Sequence, residues 1–196
     1  MHKINKLYTR REILALGAGL AASTLPGISL AQASAQPLLA RAIPKSKELL
    51  PVIGLGTAII FDIDDDQAKR AERSKVIQTL LAGGAKLIDT APSYGTAEPV
   101  VGDLLANMKV RDQVFLATKV RSNNNDSFVA QMKRSQQRLH TQKIDLMQMH
   151  NVGFLDHKQI ASQLAIVREW KQQGLFRYIG VTHSQRQEEA NDRLIE

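Results

Sequence analysis

Four polar side chains in this sequence stand where short apolar runs end. Asp89 closes Lys-Leu-Ile, Lys119 closes Val-Phe-Leu-Ala-Thr, His150 closes Ile-Asp-Leu-Met-Gln-Met, and Thr182 closes Tyr-Ile-Gly-Val. Tyr94 follows in the segment after Asp89. A carboxylate, an ammonium, an imidazole, a phenol and a hydroxyl are groups that pair charge and hold or move protons. Each also has a plainer reading. Asp89 before Thr-Ala-Pro-Ser could cap a loop, Tyr94 could be a packed loop aromatic, and Lys119 could snorkel from a strand end. A histidine after an apolar strand is, taken alone, more often a satisfied core residue than a catalyst. His2, His140 and His157 read as surface residues.

The elements that must position these groups alternate in type. Short apolar runs at 51–57, 86–90, 113–119, 144–150 and 177–182 read as strands. Longer stretches with helical spacing read as helices at 74–82, 98–108, from Asp126 or Ser127 to Arg138, and after Asp156 to Gln172. Residues 62–73 read as a polar connection, Gly83-Gly84 and Gly174 as helix ends, and a last helix begins near Gln185. Strands apolar on both faces and separated by helices predict an all-parallel sheet covered by helices. A doubly wound sheet and a barrel both fit that order. The strand-end residues favour the α/β fold of the (β/α)8 TIM-barrel type, because in a barrel such ends converge on one mouth.

Composition removes other classes. No cysteine is present, so disulfides, thiolate nucleophiles and thiolate metal sites are excluded. The net charge is +7, but the excess is not concentrated in one basic patch, which argues against nucleic acid. Gly54-Leu-Gly56-Thr57 lacks the third glycine of a dinucleotide fingerprint, and there is no P-loop. No metal site is expected.

The N-terminus reads as an address. Lys3, Lys6, Arg10 and Arg11 face only Glu12, and an uncharged stretch follows over residues 13–40. Ala31-Gln-Ala33 and Ala33-Ser-Ala35 offer cleavage sites, completing the three-part layout of an export signal. Thr9-Arg10-Arg11-Glu12-Ile13-Leu14 resembles the twin-arginine signal, whose pathway exports folded proteins. Gly17, Gly19, Ser23, Thr24, Pro26, Gly27 and Ser29 dilute the apolar content, so a stable membrane anchor is not expected. The expected layout is a signal over 1–35, a linker over 36–49 and a barrel domain over 50–196. Periplasmic location and the twin-arginine machinery as a partner follow from it.

The ordered motifs resemble the aldo/keto reductase family. Asp89-Thr-Ala-Pro-Ser-Tyr94-Gly-Thr-Ala-Glu98 is similar to its aspartate–tyrosine signature, Phe115-Leu-Ala-Thr-Lys119 to its lysine strand, and Ile144 to His150 to its histidine strand. Gln172-Gln-Gly-Leu-Phe-Arg-Tyr-Ile-Gly-Val-Thr182 is similar to the following helix end and strand. The resemblance implies an NADP(H)-dependent oxidoreductase that reduces small-molecule carbonyl compounds, aldehydes or ketones, by hydride transfer. Asp89, Tyr94, Lys119 and His150 would be its catalytic set, and Gly56, Thr57, Asp89, Thr182 and His183 would lie against the cofactor. Hydride addition leaves an alkoxide that needs a proton, and Tyr94 would be the acid. Free tyrosine holds its proton to about pH 10, so a nearby cation, Lys119, is needed to stabilise the phenolate. Asp89 would hold Lys119, and His150 would donate a hydrogen bond to the substrate oxygen.

One departure stands out: the family's Ser-Asn pair, which grips the nicotinamide carboxamide, is here Thr182-His183. A full barrel typically needs about 250 residues, so a barrel truncated after about five strands is expected. An inactive remnant or binding subunit is the alternative function, and a lyase using Lys119 as a Schiff base is a third. Pairing of Lys119 with Asp89 as a charged lysine would disfavour the lyase.

Overall fold

The computed structural model describes residues 37–183. The described residues belong to one compact unit. The expected signal and the helix beginning near Gln185 lie outside the described residues.

The stretch read as a linker holds β1 (Ala40–Ala42), which pairs antiparallel with β2 (Leu49–Pro51). Five parallel strands follow in spatial order: β3 (Gly54–Gly56), β4 (Leu87–Asp89), β5 (Phe115–Val120), β6 (Ile144–His150) and β7 (Phe176–Thr182). Between them run α1 (Gln67–Ala82), α2 (Ala97–Met108), α3 (Asn125–Arg138) and α4 (His157–Gln172). This is a TIM-barrel-like α/β arrangement. Among the described residues the sheet does not close, and β3 and β7 are its edges.

Local chemistry explains the element ends. The Asp66 side chain accepts the Lys69 N–H and starts α1 seven residues before the expected position, so much of the polar connection is helical. Gln67 to Arg73 are good helix formers with no apolar side chain larger than alanine, which hides them from an apolar-period reading. Asn124, rather than Asp126 or Ser127, caps α3 by accepting the Ser127 N–H. Asp156 and Gln159 form a reciprocal capping box on α4.

Strand alternation sorts the side chains into two layers. Ile88, Leu116, Met147 and Met149 are fully buried in one cluster with Ile77, Leu105, Phe128, Met132 and Val167 from the helices. Each such side chain withdrawn from water contributes roughly 1.5–3 kcal/mol. The register places Asp89 beside Ala117, Lys119 beside Gln148 and His150 beside Thr182. Period-two alternation puts these groups on the opposite face of the sheet from the core methionines.

At the other end of the strands the β1–β2 hairpin is tied down. Glu48 accepts hydrogen bonds from Arg177 and from the Tyr178 hydroxyl, and the same hydroxyl reaches Ser46 Oγ at 2.8 Å. A cavity of about 330 Å³ lies there, lined by Glu48, Leu50, Lys86, Phe115 and Arg177 among others.

Candidate active site

Strand order brings the sequence-predicted groups to one end of the sheet. Lys119 is 5% exposed, so its ammonium has left most of its hydration and needs partners. It finds two. Nζ donates to Asp89 Oδ2 at 2.5 Å and to the Thr90 carbonyl at 3.0 Å. Asp89 is itself held on its other oxygen, which accepts from Gln148 Nε2 at 3.0 Å. The carboxylate is therefore pinned by one neutral and one charged donor, and the ammonium by one charged and one neutral acceptor. Such charge-assisted bonds are about twice as strong as neutral ones.

Tyr94 is half-buried in the turn between β4 and α2. Its N–H bonds to the Ala91 carbonyl and its carbonyl accepts from Ala97. The Lys119 ammonium sits 4.8 Å from the centre of its ring. The turn itself is clasped from the β3–α1 connection. Asp62 accepts from the Thr96 N–H at 2.8 Å and from the Thr96 hydroxyl at 2.9 Å. These bonds, the backbone one first, hold the Asp62 carboxyl below the usual carboxylate range. Gly95 has φ +58°, and a Cβ there would fall 2.3 Å from the Asp62 carboxyl. Only glycine both adopts that backbone without cost and leaves room for the clasp.

His150 ends β6 and its Nδ1 lies 2.5 Å from the Thr182 hydroxyl on β7. Burial first, and then the Lys119 and Arg121 cations, push the imidazole below the usual histidine range, against the opposing charge of Asp89. A cavity of about 300 Å³ adjoins these groups, lined by Pro92, Ser93, Lys119, Arg121, Gln131 and His150 among others. The cavity thus sets a hydrogen-bonding imidazole beside a buried cation, and that cation lies against the Tyr94 ring.

The structure therefore brings Asp89, Lys119, Tyr94, His150 and Thr182 together. The remaining expected residues are placed differently. Thr57 is fully buried, and its hydroxyl donates to the Asp89 carbonyl at 3.0 Å, so that side chain braces β4. Gly56 faces open space: no atom lies within 4 Å of where its Cβ would be. The His183 ring packs on Gly153, where a Cβ would lie 2.3 Å from the ring. Sequence reading missed Gln148, Thr90 and Asp62. Gln148 was accessible, since it lies two residues before His150 and so shares its strand face. Nothing local marks Asp62. Among the described residues, no group of three or more His, Asp or Glu side chains could hold a metal, and no helix is long and apolar enough to cross a membrane.

Residues 52–192 match the family model described as the aldo/keto reductase family. The chain is 31% identical to D-arabinose 1-dehydrogenase of Saccharomyces cerevisiae over 138 residues, covering 65% of this chain and 41% of that protein. It is 30% identical to a methylglyoxal reductase of Salmonella typhi over 137 residues, covering 68% and 48%. It thus spans less than half the length of these curated relatives. Among solved structures, an aldo/keto reductase from Klebsiella pneumoniae in complex with NADP and acetate shares the fold, with a TM-score of 0.62 at 24% identity over 74% of this chain and 50% of that one. The chain belongs to the aldo/keto reductase family.

Proposed function

We propose that this site reduces small carbonyl compounds with NADP(H). The observation that carries the reading is the buried Lys119 ammonium, fixed by Asp89 and Thr90 and set against the Tyr94 ring. A cation over the ring also gains a cation–π attraction, and in a reductase the same cation would balance charge developing on the phenol. The open space at Gly56, on the strand beside Asp89, is consistent with a flat ring lying against the sheet there, and the Klebsiella relative was crystallised with NADP.

The bound nicotinamide would supply a hydride to the carbonyl carbon. The protein's part is to handle the oxygen. His150 donates a hydrogen bond to it and orients the substrate, while Tyr94 delivers the proton that the developing alkoxide takes up. Lys119 compensates the charge left on the tyrosine oxygen. Asp89 keeps Lys119 charged and aimed, and Gln148 keeps Asp89 from rotating. A lysine so engaged with a carboxylate is a poor amine nucleophile, which disfavours the Schiff-base lyase.

The test is NADPH consumption by the full chain with a panel of aldehydes and ketones. Tyr94→Phe is expected to lower turnover by at least about 100-fold with the fold intact. Wild-type turnover in that variant would overturn the proton-donor role. A folded chain that binds NADPH without turning over any carbonyl would mark a binding remnant instead.

We further propose that residues 1–35 direct export in the folded state to the periplasm through the twin-arginine machinery, with NADP(H) carried out bound. Lysine at both Arg10 and Arg11 should then retain the protein inside the cell. Unchanged export of that variant, or a periplasmic protein that never holds the cofactor, would contradict this route.

A further inference from the structure

Thr182 occupies a position where the family resemblance implied a grip on the nicotinamide carboxamide, yet its hydroxyl is already engaged within the protein. Two groups among the described residues approach Thr182 Oγ1: the Asn151 N–H at 3.4 Å and His150 Nδ1 at 2.5 Å. A backbone N–H can only donate, so of these two only Nδ1 can receive the hydroxyl proton. Were Nδ1 protonated instead, it and the Asn151 N–H would both point donors at the same oxygen, and the hydroxyl proton would have no acceptor among these contacts.

We propose that Thr182 is a positioning residue for His150: its hydroxyl accepts from the Asn151 N–H, donates to Nδ1, and so locks the imidazole in the tautomer that carries its proton on Nε2. The consequence is specific. With Nδ1 occupied as an acceptor, the ring nitrogen left for the cavity that His150 lines is Nε2, and it is a donor. A carbonyl oxygen needs a donor there, so the hydroxyl on β7 decides whether the imidazole on β6 can serve it. The two residues are direct partners in the parallel register, so the alignment is set by the ladder and not by a flexible loop. The charged groups around the ring favour the neutral form on balance: Lys119 and Arg121 from and just beyond β5 oppose protonation, Asp89 on β4 favours it, and His183 follows Thr182 on β7. The inference rests on the reductase reading for its catalytic meaning, but the tautomer can be read without substrate or cofactor.

The experiment is long-range proton–nitrogen correlation on the full chain labelled at histidine nitrogen, with His150→Gln used to assign its signal among the five histidines. The wild type is expected to show His150 as the Nε2-protonated form. Thr182→Val should shift it toward a mixture of tautomers and Thr182→Ser should restore it. In turnover, Thr182→Val should lower kcat about tenfold, as expected for one mispresented hydrogen bond, while the Kd for NADPH stays within about twofold. An Nδ1-protonated His150 in the wild type would overturn the proposal, as would an unchanged tautomer in Thr182→Val. A selective loss of NADPH affinity without a tautomer change would assign Thr182 to the carboxamide instead. If Thr182→Val fails to fold, the wild-type tautomer and the serine variant still decide. A chain with no reductase activity but an Nε2-protonated His150 would sink the proposed function and leave this inference standing.

Discussion

Replacing Thr118 by valine isolates one interaction behind the site. Thr118 is fully buried on β5, immediately before Lys119, and its hydroxyl donates to Glu98 Oε1 at 2.7 Å. Glu98 is equally buried, and Arg138 approaches its other oxygen at 3.5 Å across a partly exposed gap. Valine keeps the shape, so the loss is the hydrogen bond to a desolvated carboxylate, worth about 2 kcal/mol. For a chain of this size that lowers Tm by roughly 4–8 °C. Burial raises the Glu98 pKa above its ordinary 4.5, opposed by the Thr118 hydroxyl and Arg138. The folded protein therefore keeps this proton where the unfolded chain has lost it. The associated stability is complete below 4.5 and is lost as pH rises through the higher folded value. One proton limits the slope to about 1.4 kcal/mol per pH unit. Removing the hydroxyl that favours the charged form raises the folded value further. The gap between wild type and Thr118→Val should thus be small near about pH 4 and widen toward about pH 7 in denaturant unfolding. In a Glu98→Gln background the slope should flatten and the valine should cost less. A gap of constant size across that range, undiminished in the glutamine background, would refute an ionised buried Glu98.

Two further outcomes follow from the site geometry. Gln148→Leu removes one donor from Asp89 while Lys119 stays on the other oxygen. About 1 kcal/mol of lost alignment, or roughly a fivefold fall in kcat with little change in KM, is expected, and steady-state kinetics showing a KM effect alone would contradict it. Gly95→Ala forces a side chain into a left-handed backbone and onto the Asp62 carboxyl. It should cost at least about 1–2 kcal/mol for the backbone alone. Asp62→Ala should relieve part of that penalty, so the pair is less than additive in unfolding experiments, and strict additivity would show that Gly95 does not accommodate the carboxyl.

Elements with strong local signals were legible in the sequence. The apolar run of β6 and the helix after Asp156 fall where periodicity and capping chemistry put them, because each is decided by neighbours within a few residues. Asp89, Lys119 and His150 were legible for the same reason: a polar residue ending an apolar strand marks its C-terminal edge. The start of α1 was not, since its first two turns bury little and depend on Asp66. The three-residue strands of the hairpin carry too little pattern to register. What the polar groups do to one another was least legible. Gln148 on Asp89 and Thr182 on His150 depend on which residues a parallel ladder sets side by side, and the Asp62 clasp depends on two loops meeting at a glycine. None of these contacts has a signature within its own segment.

The hairpin at the far end of the strands has a consequence for the order of folding. Glu48 and Ser46 leave the ribosome early, yet the residues that hold them, Arg177 and Tyr178, lie 129 to 132 positions downstream. Closing so long a loop is entropically late. The hairpin can form its own turn as it is synthesised, but it docks only once β7 has joined the sheet. Asp89, Lys119 and His150 can thus come together strand by strand, whereas the hairpin beneath them and the Thr182 contact on His150 both wait for β7.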